Sequence, residues 1–290
     1  SLITREDLRF LDVVSVIEGS RLFATTFGLR RTSYVAAGRC PRADAVGFLL
    51  RQLPKETGEL RGVIAKSLRH LTGQDHGIDP VAWSQWWTEH EAGFRFQRPE
   101  AHPSRYADST PTYYGLPVYA KRFVFVLDTS KSMATGMREP RITIAKRELI
   151  RAIEQIPETA LFNIVIFNSS VNAWHESLAP ASKEWKANAA AFVAAQQPTG
   201  RTATYDALLT AMHLHADVEA VYLLSDGEPS SGTIVQPLRI LEAISQRNRV
   251  RRLTINAIGL FGGAEEEVGG LEQFMQQLAA RNFGEYRRID

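Results

Sequence analysis

Cysteine is almost absent from this 290-residue chain: Cys40 stands alone. That excludes an intramolecular disulfide and any zinc cage built from several cysteines, so packing must hold the fold. A reducing compartment such as the cytoplasm is mildly favoured. Long apolar runs are also missing. The longest reach only about half a dozen residues, against the ~20 that a membrane-spanning helix needs, so no membrane span is expected. An excess of one charge is lacking too, with 34 Lys and Arg against 32 Asp and Glu and a net charge of +2. Such a balance offers no electrostatic surface for nucleic acid, and none is expected as a partner. No Gly-x-x-x-x-Gly-Lys loop, Gly-x-Gly-x-x-Gly turn or Gly-x-Ser-x-Gly elbow follows a strand, which removes the usual nucleotide-binding and serine-hydrolase motifs. The opening Ser1-Leu-Ile-Thr4 has no initiator Met, no basic segment and no apolar core of a signal peptide. This is the start expected of a processed or excised piece of a longer protein.

What is present is a hydrophobic content of 44%, enough for one large domain or two ordinary ones; two are expected. Over residues 1–96 apolar side chains recur at helical spacing, as in Leu8, Leu11 and Val14, or Leu60, Val63, Ile64, Leu68 and Leu71, and strand-like alternation is missing. Breaks at Gly38–Pro41 and Pro54–Gly58 divide this stretch into several helices. Residues 97–121 change to Pro, Ser, Tyr and charge. Pro99, Pro103, Pro111 and Pro117 lie too close together for a helix or a central strand, so this stretch reads as a linker. Its tyrosines Tyr106, Tyr113, Tyr114 and Tyr119 imply that parts of it pack on a domain.

Residues 122–290 alternate strand and helix. Phe123–Leu127 is a continuous apolar run, as in a strand buried on both faces, and Ile142–Ile156 has helical spacing. Strands follow at Ala160–Phe167, Ala220–Leu224, Leu253–Leu260 and Tyr286–Ile289, with Val171–Glu176 as a short edge partner. Helices are expected at Lys183–Ala195, Tyr205–His215, Val235–Ile244 and Leu271–Ala280. The pattern predicts a doubly wound, mostly parallel α/β sheet with helices on both faces, preceded by a small all-α domain.

In such a sheet ligands bind beyond the carboxyl ends of the strands. The first strand runs into Asp128-Thr-Ser130-Lys-Ser132, and a central strand ends in Ser225-Asp226-Gly227. Gly200-Arg-Thr202 opens a helix and offers a third hydroxyl. Asp128, Ser130, Ser132, Thr202 and Asp226 form an all-oxygen set without imidazole or thiolate. It suits a hard cation, Mg²⁺ or alternatively Mn²⁺ or Ca²⁺, and does not suit Zn²⁺. So few protein ligands leave a position for an incoming acidic side chain.

These three loops, in this order and separated by about 70 and about 25 residues, resemble the metal-ion-dependent adhesion site of von Willebrand factor A domains. The resemblance spans Arg122 to Asp290. It implies direct metal binding by Ser130 and Ser132, direct or water-mediated binding by Asp128 and Asp226, and a state-dependent role for Thr202. It also implies a protein partner that supplies a Glu or Asp to the metal, and no enzymatic activity. Lys131 and Arg201 stand where many members carry Gly; these cations would weaken metal binding or assist a carboxylate ligand. In the helical part, Leu71-Thr-Gly-Gln-Asp75, Asp79-Pro-Val-Ala-Trp83 and Trp86-Trp87 are similar to HEAT-like segments found beside such domains in some bacterial proteins, although no clean repeat period is visible.

Plainer readings compete. Asp128 and the two serines suit a helix N-cap. Asp206 reads as structural, Asn168 and Ser169 as turn residues, and Glu265–Glu267 as a solvated loop. His70, His76, His213 and His215 lack the i,i+4 spacing that puts two imidazoles on one helix face. Trp83, Trp86 and Trp87 define an apolar helix face. The enzymatic alternative is a Mg²⁺-dependent phosphoryl-transfer hydrolase with Asp128 as nucleophile, but Ser130 replaces the second carboxylate expected two residues on. A scaffold with a vestigial metal site is the third reading.

Overall fold

The computed structural model describes residues 19–96, 110–136, 138–261 and 269–290. The expected helix face of Leu8, Leu11 and Val14, the N-terminal part of the linker with Pro99, Pro103 and Tyr106, and Glu265–Glu267 lie outside the described residues. The chain divides into two compact units, Ser1–Thr110 and Pro111–Asp290.

The first unit is helical: α1 (Arg21–Thr25), α2 (Phe27–Ala37), α3 (Ala43–Gln52), α4 (Glu59–Thr72) and α5 (Pro80–His90). The breaks fall where Gly38–Pro41 and Pro54–Gly58 interrupt the sequence. Gly73 ends α4 at φ +72°, a left-handed conformation that glycine adopts without a Cβ penalty. Asp79 caps α5 by accepting from the Val81 and Ala82 amides at 2.8 and 3.2 Å, with Pro80 in the first turn. Trp83 and Trp87 join the buried core with Phe48, Leu49 and Leu68, while Trp86 is only partly buried. Arg31 and Glu59 form a buried ion pair at 2.9 Å; breaking such a pair costs about 3–5 kcal/mol, because one charge is left without a partner.

The second unit is a doubly wound sheet. Its strands are β3 (Arg122–Asp128), β4 (Leu161–Phe167), β5 (Val171–Ala173), β6 (Ala179–Pro180), β7 (Ala220–Ser225), β8 (Thr254–Leu260) and β9 (Tyr286–Ile289), preceded by the hairpin β1 (Thr112–Tyr113) and β2 (Leu116–Pro117). The order across the sheet is β5-β4-β3-β7-β8-β9, with β6 also on β4. β4, β3, β7, β8 and β9 are parallel to one another, and β5 and β6 run antiparallel to β4. Alternation along β3 explains why Phe123–Leu127 is wholly apolar. Phe123, Phe125 and Leu127 face one core with Ala145, Leu149 and Ile153 of α6 (Arg141–Gln155) and Ala189 and Val193 of α7 (Lys183–Ala194). Val124 and Val126 face the other, with α8 (Thr204–His213), α9 (Pro237–Arg251) and α10 (Gly269–Arg281). A strand buried on both faces has no polar positions to spare.

Residues 111–121, expected within the linker, belong to this unit. Tyr114 and Gly115 both take positive φ (51° and 75°), as a two-residue hairpin turn requires. Tyr113 is buried against Phe125 at 5.0 Å between ring centroids, and the Tyr222 hydroxyl donates to the Pro117 carbonyl at 3.0 Å. Of the linker tyrosines, Tyr113 is a core residue and Tyr114, partly buried, packs against that core.

The chain leaves β3 for β4 on one side and returns by α7 and α8 to β7 on the other. The strand order therefore reverses at β3, and the crevice between the carboxyl ends of β3 and β7 is the switch point where ligands bind doubly wound sheets.

Candidate metal centre

Asp128 is the last residue of β3 and is fully buried. Both of its carboxylate oxygens are engaged: Oδ1 accepts from the Ser130 amide at 2.8 Å, and Oδ2 from the Ser225 hydroxyl at 2.5 Å. The turn that follows projects Ser130 and Ser132 from the same side. Ser130 begins a short 3-10 turn, Lys131–Ala134, but its hydroxyl makes no capping bond. It lies instead 3.0 Å from the Ser132 hydroxyl, which donates to Asp226 Oδ1 at 2.7 Å. The capping explanation thus does not account for these serines.

Thr202 reaches the cluster from the loop before α8. A Cβ built on Gly227 would sit 3.4 Å from Ser132 Oγ and 3.6 Å from Thr202 Oγ1, so both hydroxyls border the same small space. The loops are tied together by backbone bonds: Lys131 to Gly200 at 3.1 Å, Thr199 to Thr129 at 2.8 Å, and the Ser230 amide to the Thr202 carbonyl at 3.0 Å. Gly200, at φ +71°, packs where a Cβ would meet Ser169 Oγ at 2.8 Å. All five sequence-selected residues thus border one crevice at the switch point. The side chains of Lys131 and Arg201 are exposed beside it.

Two carboxylates converge here with little solvent. Burial, then the negative charge of Asp226, pushes the Asp128 carboxyl from its ordinary 3.8 up to about 7, against the pull of its hydrogen bonds from Ser225 and Ser130. Burial also raises Asp226, which is held back by the Ser132 hydroxyl and by Arg141. An unmet negative charge among hydroxyls is the donor chemistry of a hard divalent cation. The spacing agrees. Ligands bound about 2.0–2.1 Å from an octahedral Mg²⁺ stand about 2.9 Å apart along each edge, and the Ser130–Ser132 and Ser132–Asp226 oxygen pairs are at 3.0 and 2.7 Å. The residues fit the ion. Among the described residues no group of three or more His, Cys, Asp or Glu converges anywhere, so hydroxyls would have to supply much of any shell.

One residue of the site escaped the sequence reading. Arg141 opens α6, and its Nη1 donates to Asp226 Oδ2 at 3.1 Å and to Thr135 Oγ1 at 3.0 Å, with the Ser132 carbonyl at 3.4 Å. An arginine in the first turn of a helix opposes the helix dipole, and that misfit, following Pro140, was the available signal. Ser225 was quoted only as part of a motif, yet it fixes Asp128. The other candidates take their plainer roles. Asp206 accepts from the Thr233 amide at 2.8 Å, Asn168 Oδ1 from the Ser170 amide at 2.9 Å, and Ser169 Oγ from the Arg201 amide at 2.8 Å. His70 and His213 are exposed, and His76 packs on Trp83.

A doubly wound sheet with an oxygen-rich cluster from three loops at its switch point defines a class of α/β domain. The chain belongs to the von Willebrand factor type A domain family, whose model matches residues 121–288. It is 31% identical over 187 residues to human inter-alpha-trypsin inhibitor heavy chain H4, covering 60% of this chain and 19% of that one. It is 28% identical over 171 residues to human von Willebrand factor A domain-containing protein 3A, covering 58% of this chain and 13% of that one. The chain thus spans a fifth or less of these relatives' length. Among solved structures it is similar to a von Willebrand factor type A protein from Catenulispora acidiphila (TM-score 0.48, 20% identity, 60% of this chain and 40% of that one). It is also similar to BatB from Bacteroides thetaiotaomicron (TM-score 0.43, 17% identity, 58% and 90%). Among the described residues no helix is long and apolar enough to cross a membrane.

Proposed function

We propose that this chain is a divalent-metal-dependent protein-binding module, not an enzyme, and that Ser130, Ser132, Thr202, Asp128 and Asp226 hold Mg²⁺ or a related hard cation. The observation that carries this reading is the convergence of two carboxylates and three hydroxyls from three loops at the switch point of the sheet, with Ser132 between Ser130 and Asp226 and Thr202 beside it. When bound, the ion supplies an electrophilic point that a partner's Glu or Asp can complete. The protein's own residues do the positioning: Ser225 orients Asp128, Arg141 orients Asp226, and the Gly200–Thr202 loop brings in the third hydroxyl. The phosphoryl-transfer reading is disfavoured because Ser130 stands where its second carboxylate would be. We infer a HEAT-like helical domain over residues 1–96; of the stretch 97–121 expected as a linker, residues 111–121 join the A domain. The helical domain adds surface or orients the module.

Calorimetric titration with Mg²⁺ and Mn²⁺ tests the metal site: heat of binding in the native chain is expected to disappear in Ser130→Ala and Asp226→Ala. Binding unchanged in both variants would sink it. Once a partner is in hand, its capture must be lost in EDTA and in Asp128→Ala.

A further inference from the structure

The near balance of charge along the chain conceals a local excess. No acidic residue occurs from Ala243 to Ala264, while Arg247, Arg249, Arg251 and Arg252 crowd the end of α9. Basic residues in the last turn of a helix have a plain explanation, since they offset the negative end of its dipole and bind free carbonyls. Arg251 fits it. Its Nη2 donates to the His215 and Ala216 carbonyls at 2.9 Å each and its Nη1 to that of Met212, which ties it to the end of α8. The other three arginines do not fit. Arg247 and Arg249 are exposed and make no hydrogen bond or ion pair among the described residues. Arg252, at φ +55°, places its guanidinium over the Phe283 ring, 5.8 Å from the centroid.

Buried Asn248 fixes this arrangement. Its Nδ2 donates to the Leu253 carbonyl at 2.8 Å and to Asn282 Oδ1 at 3.0 Å, so the turn after α10, which carries Phe283, lies beside the end of α9. Two large apolar side chains stand among the arginines, Val250 at 79% exposure and Phe283 at 37%. This is the N-terminal edge of the sheet, just before β8 begins at Thr254. The carboxyl ends of the strands, where the oxygen cluster sits, lie at the opposite edge, roughly 20 Å away for a strand of this length.

We propose that this edge of the A domain docks on an anionic membrane surface. Arg247, Arg249 and Arg252 meet the charged headgroups, and Val250 and Phe283 enter the interfacial layer. Positive charge alone would suit any polyanion; the apolar side chains decide among them. They gain nothing from a sugar–phosphate backbone, but they leave water on entering the headgroup layer, which yields around a protruding side chain and needs no matching recess. Attachment of this kind is peripheral and calls for no membrane-crossing helix. It turns the oxygen cluster away from the lipid. The inference is independent of the metal-site reading.

The test is sedimentation of the full chain with phosphatidylcholine vesicles, with and without about one-third phosphatidylserine, in EDTA at about 0.1 M salt. The chain should sediment with the phosphatidylserine vesicles alone, and less of it as salt rises. Each arginine near such a surface contributes about fivefold to partitioning, so Arg247→Gln combined with Arg249→Gln should weaken binding about 25-fold. Val250→Ser should weaken it several-fold without changing the salt dependence. Phe283→Asn should do the same, asparagine being at ease at the positive φ of 61° found there. Arg247, Arg249 and Val250 are exposed, so folding is not at stake in their variants. No sedimentation with phosphatidylserine vesicles would overturn the proposal. Binding that the arginine variant leaves intact would place the lipid contact elsewhere and overturn it as well. Binding unchanged in both Val250→Ser and Phe283→Asn would mark a site for a soluble polyanion instead. Poly-glutamate bound more tightly than the vesicles, with the same dependence on Val250, would overturn it in favour of an acidic protein.

Discussion

In the metal-free protein the buried Asp128 carboxyl should make the A domain less stable as the solution becomes more alkaline, and a divalent cation should remove that penalty. Its folded value is about 7 against an ordinary 3.8, raised first by burial and then by Asp226. The folded protein holds this proton more tightly than the unfolded chain does. The associated stability is therefore fully present below about pH 4 and is lost as pH rises through about 7. Between about pH 5 and pH 8 the loss amounts to about 2–3 kcal/mol, which lowers the midpoint of a domain this size by roughly 5–10 °C. Asp128→Asn keeps an oxygen acceptor for the Ser130 amide and cannot titrate. Differential scanning calorimetry in EDTA should therefore show a steeper pH dependence for the native chain than for the variant, with pH effects of other groups common to both. A metal ion favours the carboxylate and releases the proton, so millimolar Mg²⁺ should restore stability at pH 8 in the native chain alone. If Asp128→Asn reproduces the native pH profile in EDTA, the buried carboxyl is not the source of the penalty. If Mg²⁺ leaves that profile unchanged, the cation does not sit against Asp128.

Arg141→Met should move stability and metal affinity in opposite directions. Asp226 loses a cation at 3.1 Å; because the guanidinium is partly exposed, the metal-free domain should be destabilised by about 1–3 kcal/mol, less than a fully buried pair would lose. Removing a positive charge beside the ion should tighten Mg²⁺ several-fold by calorimetric titration, and weaker binding would mean that Arg141 serves the site only by holding Asp226 in place. Tyr113→Ala should cost about 3–5 kcal/mol in urea unfolding, as for other large aromatic truncations in a core. A loss under about 0.5 kcal/mol would mean that the hairpin is a detachable tether.

The fold was legible in the sequence because the central strands β3, β4, β7 and β8 of the A domain are buried on both faces. Phe123–Leu127 and Ala220–Leu224 cannot be confused with amphipathic segments, and they recur at the interval of a strand–helix unit. The helical unit was legible by a complementary signal, apolar spacing divided at Gly38–Pro41 and Pro54–Gly58. The hairpin at Thr112–Pro117 was not. Its two strands have two residues each, too short for any periodicity, and Pro117 argues against a strand by ordinary rules. Only the excess of tyrosine hinted that something there was packed.

The candidate site shows the same division between what adjacency encodes and what tertiary structure creates. Asp128, Ser130 and Ser132 share one turn, Ser225 and Asp226 follow a strand, and Thr202 precedes a helix, so each is visible as polar residues at the end of an apolar run. Arg141 carries no such mark. It lies 13 residues beyond Asp128 and 85 before Asp226 in sequence, and it meets Asp226 only because α6 starts over the reversal in strand order. A candidate ligand set carried by loops that adjoin apolar runs can be found in a sequence; a residue such as Arg141, which holds Asp226, is found only where the sheet brings distant segments together.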